Sequence, residues 1–118
     1  MATKKRDRVE PIVLTGENES FTLEFNRASV EYAEKHGFSI EELTNGAYLS
    51  GTSELFYYAF RMHHPRMTKA QTDEILFEEL GGMPDGMAER LGELFAEPYN
   101  ALVQTEENAK NSKWKVTM

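Results

Sequence analysis

The run Leu55-Phe56-Tyr57-Tyr58-Ala59-Phe60 is the longest strictly apolar stretch in the chain. It lies in a segment from Thr52 to His64 that reads as a helix, and Pro65 disfavours helical geometry at His64 and ends it there. Thr52 or Ser53 serves as its expected N-cap, with Glu54 suiting the positive helix end. At 100° per residue, Leu55, Phe56, Ala59, Phe60, Met62 and His63 share one broad face, and Tyr57 and Arg61 lie opposite. A helix that is nearly apolar all round has to be central, so the rest of the chain is expected to wrap it. Six apolar residues fall far short of the roughly 20 that span a bilayer, so no membrane partner is expected.

The wrapping elements are legible from spacing and caps. Pro11-Ile12-Val13-Leu14 is a short apolar run, and Thr15 to Ser20 is polar with Gly16 and Asn18, hence a turn. Phe21-Thr22-Leu23-Glu24-Phe25 alternates strictly, which predicts a half-buried strand with Thr22 and Glu24 outward. The two strands pair as a hairpin, which is marginal alone and has to lie on something else. Asn26 caps a helix from about Arg27 to His36, closed by Gly37. Ser39-Ile40-Glu41-Glu42 reads as a capping box opening a short second helix that ends near Asn45-Gly46. Thr68-Lys69-Ala70-Gln71 is another, opening a helix through Ile75, Leu76, Phe77 and Leu80, closed by Gly81-Gly82. The last helix runs from about Asp85 or Gly86 to Gln104. Met87, Leu91, Leu94, Phe95, Leu102 and most of Tyr99 share one face of it, and Pro98 is expected to bend it.

The expected fold is mainly α: about five helices in a small bundle with an N-terminal β-hairpin packed against it. Residues 1–8 form a disordered basic arm, 9–104 a single globular domain (hairpin 10–26, helices 27–104) and 105–118 a polar C-terminal tail. Residues 113–116, Lys-Trp-Lys-Val, are either a last strand or a floating tail. At 118 residues one compact domain is the natural reading.

Charge narrows function further. The net charge is −7, but residues 1–8 hold four bases against one acid, and residues 110–118 hold three lysines and no acid. Residues 9–109 therefore carry six bases and nineteen acids, a net −13. Such a body is a poor clamp for a nucleic-acid backbone, which needs a basic face. The acids Asp73, Glu74, Glu78, Glu79, Glu89 and Glu93 argue the same way against a helix-turn-helix built from the last two helices.

Catalytic chemistry finds no foothold. There is no cysteine, hence no disulfide, thiol nucleophile or Cys-based zinc site. Adjacent His63 and His64 diverge by 100° on a helix, whereas two helical metal ligands need a spacing of three or four. Their expected roles are structural: His64 near the helix C-terminus and His63 at the core edge. The serines stand in no nucleophile-elbow context, and the glycines form no phosphate loop. The expectation is a protein that is not an enzyme, with no catalytic, cofactor-binding or metal-binding residues. Candidate partner-binding residues are Phe56, Tyr57 and Arg61 on the aromatic helix, Phe95 and Tyr99 on the long amphipathic one, and Trp114 in the basic tail. Tyr, Trp and Arg are favoured interface anchors, and a stripe longer than the domain can cover seeks a partner.

The residues Phe21 to Arg27, Ala33 to Phe38, Leu55 to Phe60 running into His63-His64-Pro65-Arg66-Met67-Thr68, Ile75 to Gly82, Leu94 to Leu102 and Asn111 to Val116 resemble, in that order, the tail assembly chaperones of long-tailed (siphovirus-type) phages and prophages of Gram-positive bacteria. The resemblance spans about residues 20–116 and carries structural rather than catalytic motifs. It implies a small, acidic, mainly helical protein of the host-cell cytoplasm, absent from the mature virion. It further implies binding to the phage tape measure protein and recruitment of the tail tube protein. A homo-oligomer is a separate expectation, not one that the resemblance carries. A small structural connector of the phage tail or head–tail joint is the alternative.

Overall fold

A computed structural model describes residues 9–43, 48–100, 102 and 110–118. The fold is mainly α with an N-terminal hairpin. Strands β1 (Ile12–Thr15) and β2 (Ser20–Leu23) pair antiparallel, with Ile12 opposite Leu23 and Leu14 opposite Phe21. Four α-helices follow among the described residues: α1 (Arg27–Lys35), α2 (Tyr48–Ala59), α3 (Lys69–Asp73) and α4 (Met87–Asn100). The expected basic arm 1–8, the end of the second helix at Asn45-Gly46, and residues 105–109 of the tail lie outside the described residues.

Local caps behave as the spacing predicts. Asn26 Oδ1 accepts from Ser29 N–H at 2.8 Å while Ser29 Oγ accepts from Asn26 N–H at 2.9 Å, so two of the first-turn donors of α1 are satisfied reciprocally. Thr68 and Gln71 do the same at the start of α3. Gly37 follows α1 at φ +93°, a conformation that a side chain would strain.

Three elements depart from expectation. The segment after Ser39 is a short 3₁₀ helix, Ile40–Leu43, rather than an α-helix, so four α-helices stand where about five helices are expected. Ser39 Oγ accepts from Glu41 N–H, two residues on, a turn-type bond tighter than a helix cap. α2 begins at Tyr48, so Thr52 and Ser53 are interior rather than caps. Both are buried, and Ser53 Oγ donates back to the Ser50 carbonyl at 3.1 Å. α3 passes into a π-helical turn, Glu74–Glu79, in which Leu80 N–H reaches Ile75 O at 2.7 Å. That i→i+5 register shifts the apolar face. Leu76 is buried, but Phe77 and Leu80 are exposed.

The core is aromatic and centred on α2. Leu55, Phe56 and Ala59 are fully buried and Phe60 is 1% exposed. Ring contacts run outward, edge-on from Phe60 to Phe21 on β2 and from Phe95 on α4 to both Phe25 and Phe38, and tilted from Phe38 to Tyr58. Such pairs contribute about 0.5–1.5 kcal/mol each beyond their burial.

The hairpin is fastened to the end of α2 through its second strand. Glu24 N–H donates to the Ala59 carbonyl at 3.0 Å. Thr22 N–H donates to His64 Nε2 at 2.9 Å, and His63 Nε2 pairs with Glu24 Oε1 at 2.9 Å. Glu24 is therefore buried beside His63 rather than turned outward, contrary to the alternation. The adjacent histidines serve two contacts of one strand.

Because His64 Nε2 accepts, the neutral ring carries its proton on Nδ1. Burial first, and the neighbouring His63 charge second, hold its pKa below the ordinary value of 6.5. A base depressed on folding contributes its full stability above the unfolded pKa, and that share is lost as pH falls through the folded value. Thermal melts of the wild-type chain should therefore lose stability as pH drops below about 6.5. His64→Ala should cost about 1 kcal/mol at pH 8, the net worth of one such bond, and should flatten part of the acid-side slope. An unchanged slope in the variant would assign the acid sensitivity to other groups.

Candidate protein-binding surface

The six candidate residues separate into three environments. Phe56 and Phe95, at 0% and 1% exposure, are core. Their rings lie inside the hydrophobic core and help to hold the bundle together. Tyr57 and Arg61 are half-buried, not the free outer face that periodicity predicts. The Arg61 guanidinium lies 3.9 Å from the centre of the Tyr32 ring and donates to the Pro65 carbonyl at 3.3 Å. Tyr57 lies against Tyr58, which meets Tyr32. Tyr57 and Arg61 thus converge on one cluster with Tyr32, and the His36 ring also lies against Tyr32, with centroids 4.0 Å apart. A cation over an aromatic face contributes about 0.5–1 kcal/mol at such a site, so Arg61 is spent largely within its own chain.

Tyr99 and Trp114 are the exposed members. Tyr99, 39% exposed near the end of α4, donates its hydroxyl to the Glu34 carboxylate on α1. Trp114 is 75% exposed and lies outside any strand. Ser112 Oγ accepts from its N–H at 3.0 Å, and Lys113 Nζ is 5.7 Å from the centre of its ring.

The apolar stripe of α4 outruns the core. Met87, Leu91, Leu94 and Phe95 are buried, but Tyr99 is partly open and Leu102, just beyond the helix, is 74% exposed. Pro98 sits inside the helix without a donor for the Leu94 carbonyl. Where α4 ends beside the start of α1, a groove of about 660 Å³ opens. Phe25, Ala28, Pro98 and Leu102 give it an apolar lining, and Arg27, Glu31 and Glu97 contribute charge.

A second opening was missed by sequence reasoning. It lies between β1 and the π-helical turn and is lined by Val13, Leu14, Phe21, Ile75 and Leu80, with Glu19 and Glu79 at its rim. One signal was available. Ile12-Val13-Leu14 does not alternate, so at least one apolar side chain of β1 has to face away from the core, and Val13 is 57% exposed.

Among the described residues, no three His, Cys, Asp or Glu side chains converge as a metal site, and no helix is long and apolar enough to cross a membrane.

The family described as Domain of unknown function (DUF5055) has a model that matches residues 2–118, and the chain belongs to this family. No curated protein and no solved structure matches it.

Core and surface roles separate on substitution. Phe56→Ala and Phe95→Ala should each cost about 3–5 kcal/mol in urea unfolding. Leu102→Glu should stay within about 0.5 kcal/mol of wild type. A comparable loss from Leu102→Glu would show that the end of the stripe is covered by its own chain.

Proposed function

We propose that this member of the family is a non-enzymatic phage tail assembly chaperone. It binds the tape measure protein, keeps it soluble and promotes assembly of the tail tube around it in the host cytoplasm. The observation that carries this reading is the uncovered end of the α4 stripe, where Leu102 stands exposed beside the groove at the start of α1. A tape measure protein is long and helical, and a helix with an unpaired apolar stripe aggregates. A holder for such a stripe needs a hydrophobic groove on the helix-in-groove pattern. It also needs enough like charge to keep the loaded complex dispersed. The groove supplies the first, and the net −13 of residues 9–109 supplies the second. The ordered resemblance of residues 20–116 to tail assembly chaperones adds the identity of the partner. No nucleotide is required, since arriving tube subunits can displace the holder.

Co-expression with the tape measure protein should leave both in the soluble fraction and allow their co-purification. Leu102→Glu together with Ala28→Glu should weaken the complex about tenfold or more, as loss of one good apolar anchor does, with melting temperature nearly unchanged. Wild-type retention by the double variant would remove the groove from the reading. Stoichiometric copies in purified virions would favour the structural connector instead.

A further inference from the structure

We infer that the C-terminal segment Lys113–Val116 of one copy adds as a strand to the free edge of β1 in a second copy, seating Trp114 in the groove between β1 and the π-helical turn. This goes beyond the chaperone reading and does not depend on it.

The free edge follows from hydrogen-bond parity. In an antiparallel ladder, residues directly opposite either exchange both backbone bonds or turn both groups outward. Thr22 spends its N–H on His64, away from β1. Val13, opposite Thr22, therefore turns its own N–H and carbonyl away from β2. Gly16 N–H donates to Glu19 O at 2.7 Å, the inward pair that this alternation requires two residues on from Leu14–Phe21. No hydrogen bond to the outward groups of Val13 occurs among the described residues. Pro11 has no N–H to offer, which keeps the open edge short.

An open edge beside an apolar groove is the geometry of strand addition: main-chain bonds supply affinity and the groove takes alternate side chains. The tail has the matching pattern. Trp114 and Val116 fall on one side of an extended Lys-Trp-Lys-Val, Lys113 and Lys115 on the other. Both apolar residues are more than 70% exposed. Charge complementarity selects this occupant. Residues 110–118 carry three lysines and no acid, and the groove they would enter is rimmed by Glu19 and Glu79. In its own chain the segment stands in solvent, so the groove is open to the tail of a neighbour. Reciprocal exchange between two copies fills both grooves, giving an isologous dimer.

Trp114 is the one tryptophan of the chain, so its emission reports the docking directly. On concentrating the full-length protein, the emission maximum should move to the blue in step with the appearance of dimer in sedimentation, and both should reverse with added salt. Trp114→Ala should weaken dimerisation about thirtyfold, as loss of an interface anchor does. Val13→Pro, which deletes the outward donor, and Leu80→Glu, which charges the groove, should each leave a monomer. Circular-dichroism melts identify whichever of the two keeps its fold. A monomer at every concentration, a blue-shifted emission already present in the monomer, or a dimer that survives Leu80→Glu and Trp114→Ala would overturn the inference.

Discussion

The apolar run of residues 55–60, within and just after α2, gives almost nothing to water, and the rest of this structure answers to that constraint. α1, α3 and α4 pack around α2, but helices leave the end of a neighbour open. At that end the Tyr57 and Tyr58 carbonyls accept from the next turn, but the Ala59 carbonyl takes its donor from outside the helix. The hairpin resolves both deficits. Phe21 covers Phe60, and Glu24 N–H takes the Ala59 carbonyl. The two histidines before Pro65 then hold the strand in place, so the point where the helix stops is also where the sheet is anchored. A two-stranded sheet that would be marginal alone persists because its inner face and its inner edge are both occupied.

What was legible in the sequence was what is decided locally. The boxes at Asn26 and Thr68 need only residues three apart, and both are present. Gly37 is a positive-φ stop because the backbone at that one position requires it. What was not legible depends on distant partners. Glu24 looks like an outward strand residue by alternation, but its partner, His63, is 39 residues away. Thr52 and Ser53 look like caps because their side chains suit a helix start, yet the helix continues upstream of them and the Ser53 hydroxyl is satisfied within it. The π-helical turn has no local signature. Its i→i+5 bond replaces an ordinary register, and Leu76 is buried while Phe77 is left outside.

The candidate surface shows the same division. Aromatic type cannot separate an interface anchor from a core residue, and Phe56 and Phe95 are core. Placing Tyr57 and Arg61 opposite the main apolar face was sound geometry, but opposite the core does not mean outside when the helix is central. The Tyr32 ring on α1 covers Arg61. Stripe length was the better guide. The length of the α4 stripe gives an excess over what a small domain covers but not its position, and the exposed residues are Tyr99 and Leu102. The β1 edge escaped because a strand edge is a property of pairing, and pairing is fixed here by His64, 42 residues from the strand it engages.

Charge and apolar exposure act on each other. Val13, Phe77, Leu80 and Leu102 are all substantially open, a composition of surface that invites aggregation. The acidic body sets a repulsive background against contact between two such bodies. An approaching segment overcomes that background only if it brings positive charge along with its apolar side chains. Residues 110–118 do so, and the acidic helix surfaces of a second body do not. On the strand-exchange inference, the same electrostatics that keeps the apolar openings of neighbouring molecules apart would discriminate among occupants, admitting a basic strand and rejecting another acidic face. On that inference, specificity at the β1 groove is carried less by its shape than by the sign of the charge around it.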